Sequence, residues 1–389
     1  MNFESETLNF KRVIILSPAH PLRGGIAALS ERLAQELQYR GAEVKIYSFS
    51  LQYPSFLFPG KTQFTDDPAP KGLEINTLVN SINPFNWWRV GKMIRHEAPD
   101  LLLIRYWLPF MAPCLGTIAR IVKKNHYTKI IAIADNVLPH EKRPGDRLLT
   151  NYFIKSVDAF LLMSQSVEQD LRQFTETKPA ICTPHPIYDN YGEPIEQEAA
   201  KAFLKLSQND RYLLFFGFIR KYKGLDLLLQ AMADERVQNL GIKLLVAGEF
   251  YDDAAFYDQL IAQYNLKQQV ILHTDFIPNE RVKYYFGAAD LVVQPYRSAT
   301  QSGISQIAFH FEKPMIVTNV GGLPEIVQHE KEGYVVEISP KAIADAILDF
   351  YDNKRGETLH QGVKSGKKRY TWDNMIGSIY QLYKKLNNG

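Results

Sequence analysis

The chain has 389 residues, of which 46% are hydrophobic and 22% charged, and its formal net charge is +3. This composition is typical of a globular protein and excludes a disordered or fibrous chain, while the length favours two domains over one core. Without a basic stripe, the near balance of charge argues against nucleic acid as a partner.

Cysteine content and the first residues bear on the compartment. Cys114 and Cys182 are too few for a disulfide framework and fit a reducing environment. The N-terminal stretch MNFESETLNF has no signal-peptide pattern. Residues 101–122 are the most apolar stretch, but Arg105 and two prolines interrupt it, which favours a buried strand and a helix over a membrane span. We therefore expect a cytoplasmic protein.

One segment, NPFNWWRVGKMIRHEAP (residues 83–99), leaves open a weak peripheral contact between the N-terminal domain and the inner face of a membrane. A helix that mixes tryptophans with cations can lie on a membrane or against a lipid-linked acceptor. Aromatic residues at helical spacing are more often part of a core, and we favour that interpretation for Trp87 and Trp88.

Strands and helices alternate along the first half of the chain. Short apolar runs that end in turn residues predict buried parallel strands, and these runs are KRVIILSP, EVKIYSF, DLLLIRY, TKIIAIA and DAFLLMS. After the first run, apolar residues fall on one helical face from Ile26 to Leu37, and Gly41 is predicted to end that helix. Because parallel strands need crossover connections, the pattern predicts a doubly wound α/β sheet.

A second α/β domain follows a segment that interrupts the alternation of strands and helices. The segment CTPHPIYDNYGEPIEQE (residues 182–198) has three prolines and little apolar periodicity. Strand-like runs then resume as RYLLFFG, IKLLVAG, QVILHTDF, DLVVQPY and PMIVTNV, and YTWDNMIGSIYQLYKKL predicts a separate amphipathic helix. In sheets of this type ligands bind outside the carboxyl ends of the strands, so the loops after the strands should carry the chemistry.

The loop after the first predicted strand contains Gly24 and Gly25 directly before a helix. Glycines allow the backbone to come close to a ligand, and the helix N-terminus offers free N–H groups to an anion. A tight turn without a ligand explains the pair equally well. The spacing does not match the G-x-G-x-x-G dinucleotide fingerprint.

The segment FFGFIRKYKGLDLLLQAM carries a stronger signal. Gly217 follows the strand, and Arg220 and Lys223 precede Gly224 and a helix. Cations at a helix N-terminus oppose the helix dipole, which makes a solvated charge run the weaker explanation. The fork of an arginine and the point charge of a lysine together suit a diphosphate.

A third loop carries acids. Gly248 ends a predicted strand and Glu249 follows at once. The adjacent Asp252 and Asp253 are interpreted as first-turn partners of the next helix rather than as metal ligands. No His, Cys or Asp cluster in the sequence has metal-ligand spacing, so neither a metal nor a bound cofactor is predicted.

The fourth loop lies in PYRSATQSGISQIAFHFEKPMIVTNVGGLPEIV (residues 295–327), and between Tyr296 and Phe311 this stretch holds no acid and one full charge, Arg297. Ser302 is predicted to cap a helix that begins near Gly303, and Gly321 and Gly322 repeat the arrangement after the next strand. Polar loops with free amides suit a hydroxyl-rich or phosphate ligand.

With these four loops in order, the chain resembles the retaining glycosyltransferases of family 4, which have the GT-B fold. GGIAALSERLAQELQYRGAEV is similar to the family's glycine-pair loop, and FFGFIRKYKGLDLLLQAM to its phosphate-binding segment. AADLVVQPYRSATQSGISQIAFHFEKPMIVTNVGGLPEIV is similar to its donor-sugar region, and YTWDNMIGSIYQLY to its C-terminal crossover helix. The likeness runs nearly end to end.

The resemblance implies two Rossmann-like domains facing a cleft: residues 1–188 would bind the acceptor, residues 189–368 the nucleotide-sugar donor, and residues 369–389 would cross back to the first domain. The enzyme would move a sugar from a nucleotide diphosphate to a glycan or lipid-linked acceptor with retention, and without a metal. Arg220 and Lys223 would stabilise the departing diphosphate. The implied donor contacts are Gly24, Gly25, Gly217, Glu249, Gln301, Ser302, Gly303, Gln306, Gly321 and Gly322, and the implied sugar or acceptor contacts are Asp135 and His140.

The sequence departs from the family in the donor loop. Most members carry two glutamates separated by seven residues, and the corresponding positions here are Ala299 and Ile307. Gln301, Ser302 and Gln306 are the nearby polar substitutes, and an amide binds a hydroxyl less strongly than a carboxylate does.

Two further positions differ. Phe218 stands where the family's phosphate-site arginine usually follows the glycine, and the first-domain histidine is displaced to His140, beside Glu141. Three interpretations follow: a divergent active transferase, an inactive relative that binds a sugar nucleotide or a partner, and a GT-B sugar-nucleotide epimerase or phosphorylase. The retained cations and glycine pairs favour the first.

Overall fold

The computed structural model describes residues 10–54, 62–139, 143–299 and 302–388. Contacts divide the chain into two compact units. Unit 1 comprises residues 1–186 and 371–389, and unit 2 comprises residues 187–370. Each division lies two residues from the boundary expected from the sequence.

Each unit is built on a parallel sheet. Unit 1 contains β1 (Arg12–Leu16), β2 (Glu43–Leu51), β3 (Glu74–Asn80), β4 (Leu101–Tyr106), β5 (Lys129–Ala134), β6 (Ala159–Leu162) and β7 (Ala180–Cys182), in the order β3-β2-β1-β4-β5-β6-β7. Unit 2 contains β8 (Tyr212–Phe216), β9 (Lys243–Ala247), β10 (Val270–His273), β11 (Leu291–Gln294), β12 (Met315–Thr318) and β13 (Gly333–Val336), in the order β10-β9-β8-β11-β12-β13.

Helices connect these strands. They are α1 (Gly25–Tyr39), α2 (Pro84–Glu97), α3 (Ala112–Lys123), α4 (Asp146–Ile154), α5 (Gln165–Arg172), α6 (Gln197–Phe203), α7 (Leu225–Met232), α8 (Glu235–Gln238), α9 (Ala254–Gln263), α10 (Val282–Ala288), α11 (Gly303–His310), α12 (Leu323–Ile326), α13 (Pro340–Asp352), α14 (Gly356–Gly366) and α15 (Trp372–Asn388). The prediction of two doubly wound α/β domains is confirmed.

The central strands are apolar because helices cover both faces of each sheet. In unit 1, Ile15 of β1 lies between Ile46 of β2 and Leu103 of β4, and all three are buried. In unit 2, the residues of β8, β11 and β12 are buried throughout. This double coverage accounts for the continuous apolar runs in the sequence.

Helices α2, α3 and α4 form one packed layer in unit 1. Glycines allow their close approach: a Cβ atom on Gly91 of α2 would lie 2.9 Å from Ile121 Cβ in α3, and one on Gly116 of α3 would lie 2.8 Å from Tyr152 Cε1 in α4. Right-handed crossovers place this layer on one face of the sheet and α1 on the other.

Helix α15 packs beside α1 and against β5, β6 and β7. Tyr383 meets Phe10 edge to face at 5.1 Å between ring centroids, and the Arg32 guanidinium lies 4.9 Å from the centroid of Trp372. The predicted amphipathic C-terminal helix is confirmed and belongs to unit 1.

The interpretation of the tryptophans in α2 as core residues is half wrong. Trp87 packs against the core and donates its Nε1–H to the carbonyl of Asn80 at 2.7 Å. Trp88 is 54% exposed, since neighbouring residues point about 100° apart around a helix. No helix within the described ranges is both long and apolar enough to span a bilayer.

Candidate active site

The sheet order of unit 2 locates a candidate site. The chain runs from β8 to β9 on one side, and β11 then joins β8 on the other side, so the direction of winding reverses between β8 and β11. In doubly wound sheets ligands bind at the carboxyl ends of the strands at this reversal. The loops that leave β8 and β11 there are residues 217–224 and 295–302.

The loop after β8 buries a cation. A 3-10 turn, Lys221–Lys223, leads through Gly224 into α7, and Lys223 is 9% exposed. A Cβ atom on Gly217 would lie 3.1 Å from Nζ of Lys223 and 3.3 Å from Cδ1 of Ile304. The Lys223 ammonium therefore lies against the backbone of Gly217, which has no side chain, and beside the first turn of α11.

Arg220 and Lys223 have no counter-charge among the described residues: no carboxylate forms an ion pair with either side chain there. Burial, together with the positive charge of Arg220, lowers the pKa of Lys223 from 10.5 to about 7. An unpaired buried ammonium is unfavourable unless an anion joins it. The two cations thus form an electropositive position at the N-terminal end of α7.

Aromatic rings provide part of the cations' surroundings. The Arg220 guanidinium lies 5.0 Å from the Tyr251 centroid, and Lys223 Nζ lies 5.7 Å from the Tyr296 centroid. Such contacts attract a cation through the ring's negative face. Both tyrosines follow predicted strands, but their pairing with cations gave no signal in the sequence.

Close backbone approach explains the glycines of this edge. Gly248 has φ 137°, and a Cβ there would lie 2.3 Å from the carbonyl oxygen of Gly217. Gly224 has φ 69°, and its Cβ would lie 2.0 Å from the carbonyl oxygen of Pro295. The loops after β8, β9 and β11 therefore touch through main chain.

Side chains tie the same loops together. Arg297 forms two hydrogen bonds to Asp226 of α7, Nη1–Oδ1 at 2.7 Å and Nη2–Oδ2 at 2.6 Å, and its Nη1 also donates to the carbonyl of Lys221 at 3.1 Å. Asp252 accepts the backbone N–H of Lys221, and Asp253 caps α9 through Ala255 N–H. The prediction that the two acids serve a helix start is confirmed for Asp253, while Asp252 holds the loop after β8.

Ser302 is the N-cap residue of α11, which begins at Gly303 as predicted, but its side chain makes no capping hydrogen bond. Its Oγ donates to Gln294 Oε1 at 2.5 Å, and Ser305 Oγ donates to the same oxygen at 3.1 Å. Gln294 is buried in β11, and its side-chain amide oxygen needs hydrogen-bond donors. The hydroxyls of Ser302 and Ser305 therefore bond to this oxygen. The N-terminus of α11 consequently has no side-chain cap.

The positions that carry acids in the resembled family are apolar and buried: Ala299 is 7% and Ile307 is 4% exposed. Gln306 is fully buried, and within the described residues neither atom of its amide group has a hydrogen-bond partner. Gly303, one turn earlier, packs against Tyr188, since a Cβ atom on this glycine would lie 2.9 Å from Cε2 of the ring. Gln306 therefore lies inside unit 2 rather than on an open surface.

The remaining predicted donor residues of unit 2 lie at the same sheet edge. Glu249 is 3% exposed, and its carbonyl accepts the N–H of Ile219 at 2.9 Å. Gly321, with φ 49°, and Gly322 follow β12 and precede the short helix α12. Gln301 lies outside the described residues.

In unit 1 the glycine pair follows β1, where winding also reverses between β1 and β4. Gly24 is the N-cap of α1 with φ 114°, and a Cβ atom added to it would have no atom of the described residues within 4 Å. No acid occupies the first turn of α1. The positive φ favours glycine at this position.

Asp135, predicted as a sugar or acceptor contact, is held by a buried arginine. Arg105, 3% exposed, donates its Nε–H to Oδ2 of Asp135 at 2.7 Å and its Nη2–H to Oδ1. Both carboxylate oxygens thus accept from one guanidinium. His140 and Glu141 lie outside the described residues.

Charged loops at the carboxyl edge of a doubly wound sheet lie where α/β proteins of this class bind their ligands. The sequence profile described as "Glycosyl transferases group 1" matches residues 196–369, and that described as "Glycosyltransferase Family 4" matches residues 23–186. Together they span most of both units. The chain belongs to the group 1 glycosyltransferases, enzymes that transfer a glycosyl group from a nucleotide sugar.

Individual proteins agree with this assignment. The chain is 26% identical over 336 residues to a D-inositol 3-phosphate glycosyltransferase of Segniliparus rotundus, covering 81% of this chain and 73% of that one. Sucrose-phosphate synthase of Thermosynechococcus elongatus superposes with a TM-score of 0.75 at 18% identity, covering 97% and 99%. Anabaena Alr3699/HepE in complex with UDP-glucose superposes with a TM-score of 0.69 at 16% identity, covering 97% and 100%. The GT-B fold class is confirmed.

Proposed function

We propose that the protein is a retaining, metal-independent glycosyltransferase that uses a uridine diphosphate sugar. Unit 2 binds the donor, with its diphosphate at Arg220 and Lys223. One observation carries the proposal: two cations at a helix N-terminus, one of them buried, lack a carboxylate partner within the described residues.

The charge of this position fits the chemistry. When the bond between the anomeric carbon and the phosphate oxygen breaks, negative charge develops on the leaving diphosphate. Preorganised cations that stabilise developing charge lower the barrier without reorganisation. A divalent metal would perform the same task, and Arg220 and Lys223 make it unnecessary.

Retention requires the new bond to form on the face from which the diphosphate leaves. The departing phosphate oxygen then accepts the proton of the acceptor hydroxyl, so no protein base is required. The apolar positions Ala299 and Ile307 agree with a site in which the leaving group performs this step.

The choice of uridine rests on similarity. Alr3699/HepE, which shares the fold over nearly the whole chain, has been solved with UDP-glucose. In unit 2 the strand β10 ends at His273, whose backbone carbonyl accepts the N–H of Gly248. The loop that follows, residues 274–278, starts beside the loop after β9, and we propose that its backbone groups read the base.

Unit 1 binds the acceptor, which we propose to be a glycan or a lipid-linked carbohydrate, and the protein works at the cytoplasmic face of a membrane. The exposed Trp88 and the cations near it on α2 favour a lipid-linked acceptor over a freely soluble one.

The test is a transfer assay with UDP-glucose and related UDP-sugars in the presence of EDTA, with the anomeric configuration of the product read by NMR. The proposal predicts UDP release and a product with the donor's anomeric configuration, both unaffected by EDTA. An inverted product, or activity that returns only when Mg²⁺ or Mn²⁺ is added, contradicts it.

An inactive relative is the second candidate, because the buried apolar positions Ala299 and Ile307 remove two carboxylates from the donor loop. That candidate predicts UDP-sugar binding without turnover in the same assay. A pair of variants, Ala299→Glu and Ile307→Glu, would then be expected to lower stability rather than restore activity, since both positions are buried.

A further inference from the structure

We propose that unit 1 docks on an anionic lipid surface through the outer face of α2, α3 and α4, which we name the docking face. The docking face consists of an apolar tip at the N-terminal end of α2, a row of unpaired cations behind it, and a pocket between α3 and α4. Exposure, charge and shape each support a different part of this surface.

The apolar tip consists of Ile82, Phe85 and Trp88, which are 50%, 86% and 54% exposed. Phe85 and Trp88 are three residues apart and therefore share one side of α2. In the described part of unit 1, five of the eight large exposed apolar residues belong to the docking face: these three and Leu148 and Tyr152 of α4. Such clustering marks an interaction surface.

Cations continue the same side of α2 toward its C-terminus. Arg89, Lys92 and Arg95 are exposed, and among the described residues no carboxylate pairs with them. Lys92 Nζ lies 3.7 Å from the centroid of Trp88. Aromatic rings beside lysine and arginine are typical of helices that lie in the headgroup region of a membrane.

The charge of the docking face is one-sided. Helices α2, α3 and α4 contain six Lys and Arg residues, of which Lys123 pairs with Asp158, and two acids, Glu97 and Asp146. Both acids are engaged: Glu97 accepts from the Tyr47 hydroxyl, and Asp146 accepts the N–H of Arg143 at 2.7 Å. On the opposite side of the sheet, α1 and α15 contain three basic and three acidic residues.

A pocket of about 450 Å³ opens between α3 and α4. Its lining is mainly apolar, includes two cations, and comprises Pro113, Leu148, Leu149, Tyr152, Asn151, Arg120 and Lys155. This chemistry fits the junction between lipid chain and phosphate headgroup. A zwitterionic surface would leave the cations uncompensated, so the charge selects an anionic lipid.

The apolar tip also lies at the carboxyl edge of the unit 1 sheet. Helix α2 begins four residues after β3 ends, and α3 begins six residues after β4 ends, so both helices start at the carboxyl edge. Substrates of doubly wound sheets bind at that edge. This inference rests on the proposed function: the docking face would bring the acceptor-binding unit 1 to a lipid-linked substrate.

Flotation with vesicles tests the proposal, using phosphatidylcholine alone and equal parts of phosphatidylcholine and phosphatidylglycerol. The wild-type protein should bind only the anionic vesicles, and less at high salt. Each cation removed from an anionic surface lowers affinity about fivefold, so Arg89→Glu with Lys92→Glu should weaken binding about 25-fold or more. Phe85→Ser with Trp88→Ser should weaken it about tenfold.

Matched controls come from the opposite side of unit 1. Tyr39 is 86% exposed on α1, and Lys384 and Lys385 are exposed on α15. Tyr39→Ser, and Lys384→Glu with Lys385→Glu, should bind vesicles like the wild type. Brominated lipid should quench tryptophan fluorescence in the wild type and less in the Trp88 variant.

Absence of binding to anionic vesicles, or equal loss of binding in the α1 and α15 controls, overturns the proposal. So does a dimer in sedimentation that the α2 variants dissolve without any vesicle binding, since the face would then join two copies of the chain. UDP-glucose affinity should be unchanged in the α2 variants. Loss of vesicle binding therefore cannot be mistaken for failure of the donor site.

Discussion

Arg297 and Asp226 face each other across 71 residues of sequence and form a two-pronged ion pair at 2.6 and 2.7 Å. Asp226 lies in the first turn of α7, directly after the loop that carries Arg220 and Lys223. Arg297 lies in the acid-free loop after β11. The pair thus fixes the cation-bearing loop to the loop where the donor sugar is proposed to bind.

Arg297→Lys keeps the positive charge but cannot form two parallel hydrogen bonds to Asp226, so the loop after β8 should lose its fixed position. We expect affinity for UDP-glucose to fall about fivefold to tenfold, because the loop must then be ordered on binding. The measurement is isothermal titration calorimetry. Arg236→Lys, at an exposed ion pair with Asp234, is the control and should bind normally. Unchanged affinity in Arg297→Lys would show that the pair does not position the site.

Donor binding should depend on pH through Lys223, whose pKa is about 7 without a bound anion. A diphosphate stabilises the charged ammonium, so binding takes up a proton when the pH exceeds 7 and affinity falls by up to about tenfold per pH unit. UDP-glucose is the suitable probe because its phosphates do not titrate in this range. Calorimetry in buffers of different ionisation enthalpy measures the proton uptake.

Lys223→Arg is the control, since its guanidinium stays charged and should remove this pH dependence. Proton uptake that persists in Lys223→Arg would assign the titration to another group.

The same residue should affect stability. Lys223 has a folded pKa below its unfolded value of 10.5, so the unfolded chain binds more protons between pH 7 and 10.5 and stability rises with pH in that window. Lys223→Met should be more stable than the wild type at pH 6 and should lack this rise. Urea unfolding at pH 6 and pH 9 measures it, and parallel pH profiles for the two proteins would be inconsistent with a buried charged lysine.

Gly248→Ala should be severely destabilising, because the new Cβ would lie 2.3 Å from a backbone oxygen that cannot move aside. We expect a loss of about 3 kcal/mol or more in the free energy of unfolding. Gly241→Ala shares a positive φ, but its new Cβ would have no atom of the described residues within 4 Å, and it should lose about 1 kcal/mol. If urea unfolding gave equal losses of unfolding free energy for the two variants, the positive φ alone, and not the close contact at Gly248, would account for them.

Glu332 and Arg369 form an ion pair near the end of unit 2, in which the carboxylate is buried and the guanidinium is 33% exposed. Glu332 is fully buried, and its oxygens accept from Arg369 at 2.7 and 2.8 Å and from the N–H of Gln328 at 2.9 Å. Glu332→Ala should cost about 1 to 3 kcal/mol, because it removes a buried carboxylate that accepts hydrogen bonds from a guanidinium and a backbone N–H. Asp345→Ala, which breaks exposed pairs, should leave the midpoint of urea unfolding close to unchanged. A similarly small effect in Glu332→Ala would contradict the assigned role.

The sequence predicted the central strands and missed three others, namely β3 (EINTLVN), β7 (AIC) and β13 (GYVV). All three lie at sheet edges. An edge strand has one neighbour and more contact with water, so it needs no continuous apolar run. The apolar pattern therefore reports strands that are covered on both faces and is weak elsewhere.

The site was predictable in position and only partly in its contacts. Loops after strands meet at one edge by topology, which placed Arg220 and Lys223 correctly at the carboxyl edge of unit 2. The Arg297–Asp226 pair and the competition of Gln294 for Ser302 join residues on different elements. Local spacing cannot indicate such pairs, because they depend on which strands become neighbours.

The central claim is that Arg220 and Lys223 bind the diphosphate of the donor. The most direct measurement is calorimetric titration of UDP with EDTA present, using the wild type, Arg220→Ala, Lys223→Ala and the control Lys221→Ala. Lys221 is exposed and lies between the two cations in sequence, so it matches their charge without their position. We expect at least a tenfold loss of affinity in Arg220→Ala and Lys223→Ala and no loss in Lys221→Ala. Equal affinity in all four proteins would contradict it.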